Sequence, residues 1–148
     1  MYPAKLDDKG RLKLPVKIQE FLEKFEEKTF FCTSLDGRIG QIYPIPVWEK
    51  YQEFLDSYTE DPAAVQGVMF RAQDLGAEAD LDSQGRITLN AELRKALELQ
   101  GQELRLMVYR GGVQIMTQAI YAQMKAASDG NAGAVLKLEQ AGLGKGIR

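Results

Sequence analysis

Two short stretches of this chain carry residues that could do chemistry, and they are nearly the same stretch twice. Asp7-x-x-x-Arg11 lies within Leu6-Asp7-Asp8-Lys9-Gly10-Arg11-Leu12-Lys13-Leu14, and Asp82-x-x-x-Arg86 lies within Leu81-Asp82-Ser83-Gln84-Gly85-Arg86-Ile87-Thr88-Leu89. An acid and an arginine four apart around a glycine can form a salt bridge that only shapes a turn. Alternatively, the arginine can offer its planar fork of N–H donors to an anion, gripping a phosphate or a guanine edge. On the residues alone both readings of Arg11 and Arg86 stand, while the two aspartates are structural in either. Lys9, Lys13 and Lys17 add positive charge around the first motif.

The chemistry on offer is binding rather than catalysis. The chain has no histidine and one cysteine, Cys32. Ser-His-Asp and Cys-His nucleophilic machinery and imidazole metal sites are therefore excluded, and no intrachain disulfide can form. Phe30-Phe31-Cys32-Thr33 reads as a buried strand, which makes Cys32 a core residue. Gly142-Leu143-Gly144-Lys145-Gly146 lacks the spacing of a phosphate loop and reads as a frayed tail. No enzyme activity, cofactor, metal or small-molecule substrate is expected.

Overall charge is −2 and decides nothing about nucleic acid; its distribution matters more. Residues 1–17 hold five basic and two acidic side chains, a net of +3. The equivalent window, 76–92, holds one basic and four acidic, a net of −3. Phosphate attraction needs local positive charge. The N-terminal hairpin is therefore the expected contact surface, with Arg86 weighted towards folding.

The elements that must position these residues follow from the repeat. The two motifs stand 75 positions apart, and Gln41-Ile42-Tyr43 followed by Trp48 matches Gln114-Ile115-Met116 followed by Tyr121 at an offset of 73. In each copy a short strand leads into the Asp-x-x-Gly turn, where Asp bonds its own backbone and Gly supplies a positive φ. A second strand alternates, with Leu12 and Leu14 on one face and Arg11 and Lys13 on the other. A short helix follows, opened by Pro15 in the first copy and N-capped by Asn90 in the second. Two more strands close each copy: Thr29–Thr33 and Ile39–Tyr43, then Glu103–Tyr109 and Gly112–Thr117. Asp36-Gly37 and Gly111-Gly112 are the turn signals between them. Helical spacing over Val47–Tyr58, and from Asp61-Pro62 to Gly76, predicts a connector between the copies. Further helices are expected at Ile120–Met124 and Ala132–Ala141. The organisation reads as a first module at 1–46, a helical connector at 47–75, a second module at 76–120 and a helical tail at 121–148.

These motifs, with Tyr43-Pro44 and Trp48-Glu49, resemble the MraZ family of transcriptional regulators, within the AbrB/SpoVT swapped-hairpin superfamily. The resemblance runs from the first strand to about Met124. It implies an α+β, β-rich fold in which two AbrB/SpoVT-like swapped-hairpin modules form a pseudo-two-fold barrel with flanking helices. It implies a homo-oligomeric ring that binds double-stranded DNA at repeated short sites upstream of the division and cell-wall gene cluster, including its own gene. Arg11 and Arg86 then carry the DNA contact, with Lys9 as helper. Two departures stand out: Gln19 replaces a basic residue usual after the first Pro, and Asn90 stands where Pro is usual.

The rival readings are an antitoxin-like member of the same superfamily and a ring-forming scaffold without a nucleic-acid role. Two modules and a helical connector argue against the first. No apolar run approaches the roughly 20 residues that span a bilayer, and the first residues carry no apolar leader. A cytoplasmic, nucleoid-associated protein with no membrane partner is the expectation.

Overall fold

Neither copy of the repeat keeps its strands to itself. A computed structural model describes residues 1–147. In chain order the elements are β1 (Tyr2–Ala4), β2 (Arg11–Lys13), α1 (Val16–Glu23), β3 (Thr29–Thr33), β4 (Gly40–Pro44), α2 (Ile45–Ser57) and α3 (Pro62–Leu75). The second half continues with β5 (Ala77–Asp80), β6 (Arg86–Thr88), α4 (Ala91–Leu97), β7 (Leu104–Tyr109), β8 (Gly112–Met116), α5 (Gln118–Ala127) and α6 (Ala132–Ala141). The main sheet is antiparallel, in the order β1-β7-β8-β4-β3-β5, and β2 pairs with β6 in a separate two-stranded ribbon. Thus β1 borders the second copy's β7, and β5 borders the first copy's β3.

The register exposes a pseudo-two-fold axis. Gln41 pairs with its own counterpart Gln114 between β4 and β8. Leu12 pairs with its counterpart Ile87 between β2 and β6. The reciprocal bonds from Leu14 N–H to Gly85 O and from Leu89 N–H to Gly10 O are both 2.9 Å.

The class is α+β and β-rich, as read from the sequence, but the barrel is not closed. The main sheet ends at β1 and β5, and the ribbon meets the segments that follow those strands through single bridges, Leu6 with Leu12 and Leu81 with Ile87. The reason is local. The Asp-x-x-Gly turn begins one residue after each bridging leucine, so no length remains for a continuous ladder.

One core lies beneath the ribbon. Leu12, Ile87, Leu89, Leu104, Leu106, Val113 and Ile115 are fully buried there with Ile18 and Leu22 of α1 and Leu93 of α4. Burying each such side chain contributes about 1.5–3 kcal/mol. A second cluster covers the other face of β3 and β4, where Phe31 and Tyr43 stack on Trp48 of α2 at 4.7 and 5.5 Å between ring centroids. Both faces of β3 are covered, so Phe30, Phe31 and Cys32 form a continuous buried run rather than an alternating one. Burial pushes the Cys32 thiol up to about 12, consistent with an inert core residue.

Asp61 caps α3 as its place before Pro62 predicts, accepting from Ala64 N–H at 3.1 Å. Asn90 does not cap α4. Its Nδ2 donates instead to Leu75 O at 3.0 Å, filling an orphan carbonyl at the end of α3. The β7–β8 turn falls one residue earlier than its glycines suggest, on Arg110 (φ +49) and Gly111 (φ +83).

Candidate nucleic-acid interface

Each Asp-x-x-x-Arg motif folds into the same braced turn. In the first, Asp7 Oδ1 accepts from the backbone N–H of Lys9 and of Arg11, both at 2.9 Å, and Oδ2 accepts from Arg11 Nε at 2.6 Å. In the second, Asp82 Oδ1 accepts from Gln84 and Arg86 N–H, both at 2.9 Å, and Oδ2 accepts from Arg86 Nε at 2.9 Å. The Arg11 backbone N–H is the largest influence holding the Asp7 carboxyl below its usual value, against some desolvation, with the guanidinium adding to it. Asp82 is lowered in the same way by Arg86.

The two readings of the motif are therefore not exclusive. The salt bridge forms, yet it engages only Nε of each guanidinium, and among the described residues the terminal N–H groups of Arg11 and Arg86 make no hydrogen bond. Both side chains stay partly open, 31% and 25% exposed. The aspartate fixes the stem of the fork and leaves its tines without a protein partner among the described residues.

The ribbon brings the two arginines together. Strand alternation sends Leu12 and Ile87 into the core and places Arg11, Lys13, Arg86 and Thr88 on the opposite face. Lys13 is directly opposite Arg86, and Arg11 is opposite Thr88. The Lys13 ammonium donates to the Gln84 carbonyl in the second copy's turn. The +3 and −3 windows thus separate residues that the strand exchange reunites. The N-terminal hairpin is no surface of its own, because β2 takes β6 rather than β1 as its ladder partner.

Of the other expected residues, Lys9 is exposed on the turn just before β2. Lys17 lies apart on α1 and pairs with Glu20 at 3.5 Å, both side chains largely exposed.

Two positioning residues were not read as such from the sequence. Arg94 of α4 lies against the first copy's Gly10, so close that a Cβ there would sit 2.6 Å from its guanidinium carbon. Its Nε donates to Leu89 O at 2.9 Å. Gln19 of α1 does the same at Gly85, with Nε2 donating to Leu14 O at 2.6 Å. Gln100 adds a bond from Nε2 to Asp7 O at 2.8 Å. Gly10 and Gly85 have φ of +77° and +75°, so each turn needs glycine for its backbone, and a Cβ there would also push aside the end of the side chain pressed on it. The shared offset of Gln19 and Arg94 was the one signal available; that each reaches the opposite turn is a property of the exchange alone.

The chain has relatives among known proteins. No protein-family model matches the chain. The transcriptional regulator MraZ of Koribacter versatilis (strain Ellin345) is 33% identical over 102 residues, 68% of this chain and 69% of that protein. MraZ of Acidobacterium capsulatum is 33% identical over 100 residues, 68% of each chain. MraZ of Nitrosococcus oceani is 28% identical over 128 residues, 86% of this chain and 85% of that protein. The chain belongs to the MraZ family. The MraZ resemblance first seen in the two Asp-x-x-x-Arg motifs thus extends over two thirds or more of the chain.

Proposed function

We propose that this chain is a sequence-specific DNA-binding transcriptional regulator whose contact surface is the composite β2–β6 ribbon. One observation carries the reading. A two-stranded ribbon anchored by Leu12 and Ile87 bears three cations, Arg11, Lys13 and Arg86, on its outer face, two of them directly opposed. Like charges opposed across a ladder cost stability, so the ribbon is not arranged for folding alone. A β-ribbon fits the major groove, where an arginine fork can read guanine. The names of the relatives, transcriptional regulators, support the same reading.

Arg11 and Arg86 read base edges, Lys13 and Lys9 attract phosphate, and Lys17 contributes from the neighbouring helix. One ribbon offers few charges, and the remedy is multiplicity. A closed homo-oligomeric ring presents several ribbons to repeated sites upstream of the division and cell-wall gene cluster, including the protein's own gene, gaining affinity without new contacts. Exposed Phe70, 72% accessible, supports assembly. The protein works in the cytoplasm, on the nucleoid. Among the described residues no helix is long and apolar enough to cross a membrane.

A mobility-shift titration on the DNA upstream of the protein's own gene, against a scrambled duplex at several salt concentrations, tests the proposal. Specific, salt-dependent retention supports it; equal or absent retention of both duplexes overturns it.

A further inference from the structure

The outer turns of α2 line a cleft that the ribbon does not use. It measures about 480 Å³, within the range of small-molecule sites. Its walls are apolar and aromatic: Leu35 after β3, Tyr51, Phe54 and Leu55 of α2, and Val68 of α3. Two cations complete it, Lys50 of α2 and Arg110 of the β7–β8 turn. Neither takes part in an ion pair among the described residues. One oxygen of the neighbouring Asp36 carboxylate, Oδ1, serves its own turn, accepting from the N–H groups of Arg38 and Ile39 at 2.9 Å.

Arg110 supplies a second, independent observation. It occupies the first position of a two-residue hairpin turn at φ +49, a place suited to Asn, Asp or Gly. Only one other described non-glycine residue, Glu98, has a positive φ. A bulky side chain is thus held in an unfavourable backbone conformation, which marks a position kept for its side chain. The turn is seated on α2, since a Cβ on Gly111 would lie 3.3 Å from Val47 Cγ1. The Arg110 guanidinium rests 5.1 Å from the centre of the Tyr109 ring.

We propose that this cleft binds a small amphipathic anion, a carboxylate on a medium-length apolar tail. The aromatic walls take the tail, and Lys50 and Arg110 take the head. The proposal does not depend on the DNA reading.

The test is calorimetric titration of sodium decanoate, below its micelle concentration, into the full chain, with particle size followed by light scattering. Decanol and anionic phospholipid vesicles serve as comparison probes. One saturable decanoate site per chain is expected, with decanol weaker by about tenfold or more. Lys50→Gln should weaken decanoate about tenfold. Arg110→Asn should weaken it similarly while leaving the melting temperature equal or higher, because Asn suits that backbone. This opposite movement of binding and stability separates a lost ligand group from a damaged fold. The proposal is overturned if decanol binds as tightly as decanoate, if neither variant changes binding, or if only vesicles bind. It is also overturned if decanoate binds only after the assembly dissociates, which would place a second copy in the cleft.

Discussion

Lys13 of β2 lies directly opposite Arg86 of β6, a pairing of two positive residues that come from different copies of the repeat. Ladder energetics disfavour this arrangement by a few tenths of a kcal/mol to about 1. Asp82 offsets part of it at Arg86, and the Gln84 carbonyl receives the Lys13 ammonium. The counterpart of Lys13 in the second copy is Thr88.

Thr88 makes Lys13→Thr a substitution the fold already accommodates. It should leave stability unchanged or raise it by less than about 1 kcal/mol. DNA affinity should fall alike on all sequences, and the salt dependence should flatten by about one charge per engaged subunit. Thermal melts beside binding titrations at several salt concentrations check both halves.

Gly85→Ala should cost more than Gly101→Ala, although both glycines have φ near +75–79°. The backbone cost, about 1–2 kcal/mol, is common to both. At Gly101 the space is open, whereas at Gly85 the new methyl displaces the Gln19 amide and breaks its bond to Leu14 O. Paired denaturant titrations measure the difference, and equal losses would contradict the clamp.

Leu12→Ala removes a fully buried side chain on the pseudo-two-fold axis. A loss of about 2–5 kcal/mol is expected in chemical denaturation.

Acid should loosen both turns together. Asp7 and Asp82 are depressed in the folded protein below their ordinary value of 3.8. A depressed carboxyl contributes stability above its unfolded value, and that contribution disappears as pH falls through the folded one. Stability should therefore decline below about pH 4, and Asp7→Asn with Asp82→Asn should flatten that decline. Melting curves from pH 2 to 7 decide it.

Much of this architecture was legible in the sequence because local chemistry dictates it. Gly10 and Gly85 at positive φ, the cap at Asp61 and the helix at Ala132–Ala141 are each fixed by neighbouring residues. What stayed hidden depends on strand exchange. The charge windows divided Arg11 from Arg86 because linear counting cannot know that β2 chooses β6 over β1. Asn90 reads as a cap by position, yet Leu75 O, distant in sequence, takes its amide. The free tines of both arginines, the most informative feature of the site, emerged only with the geometry of the braced turns.

The most direct test of the composite ribbon is the pair Arg11→Ala and Arg86→Ala, titrated on the same operator DNA with folding and assembly followed in parallel. Both forks leave equivalent braced turns on one face, so each substitution should cost about 1–3 kcal/mol per engaged site and relax base discrimination. An Arg86→Ala protein that remains folded and assembled yet binds as tightly as the parent would contradict the account.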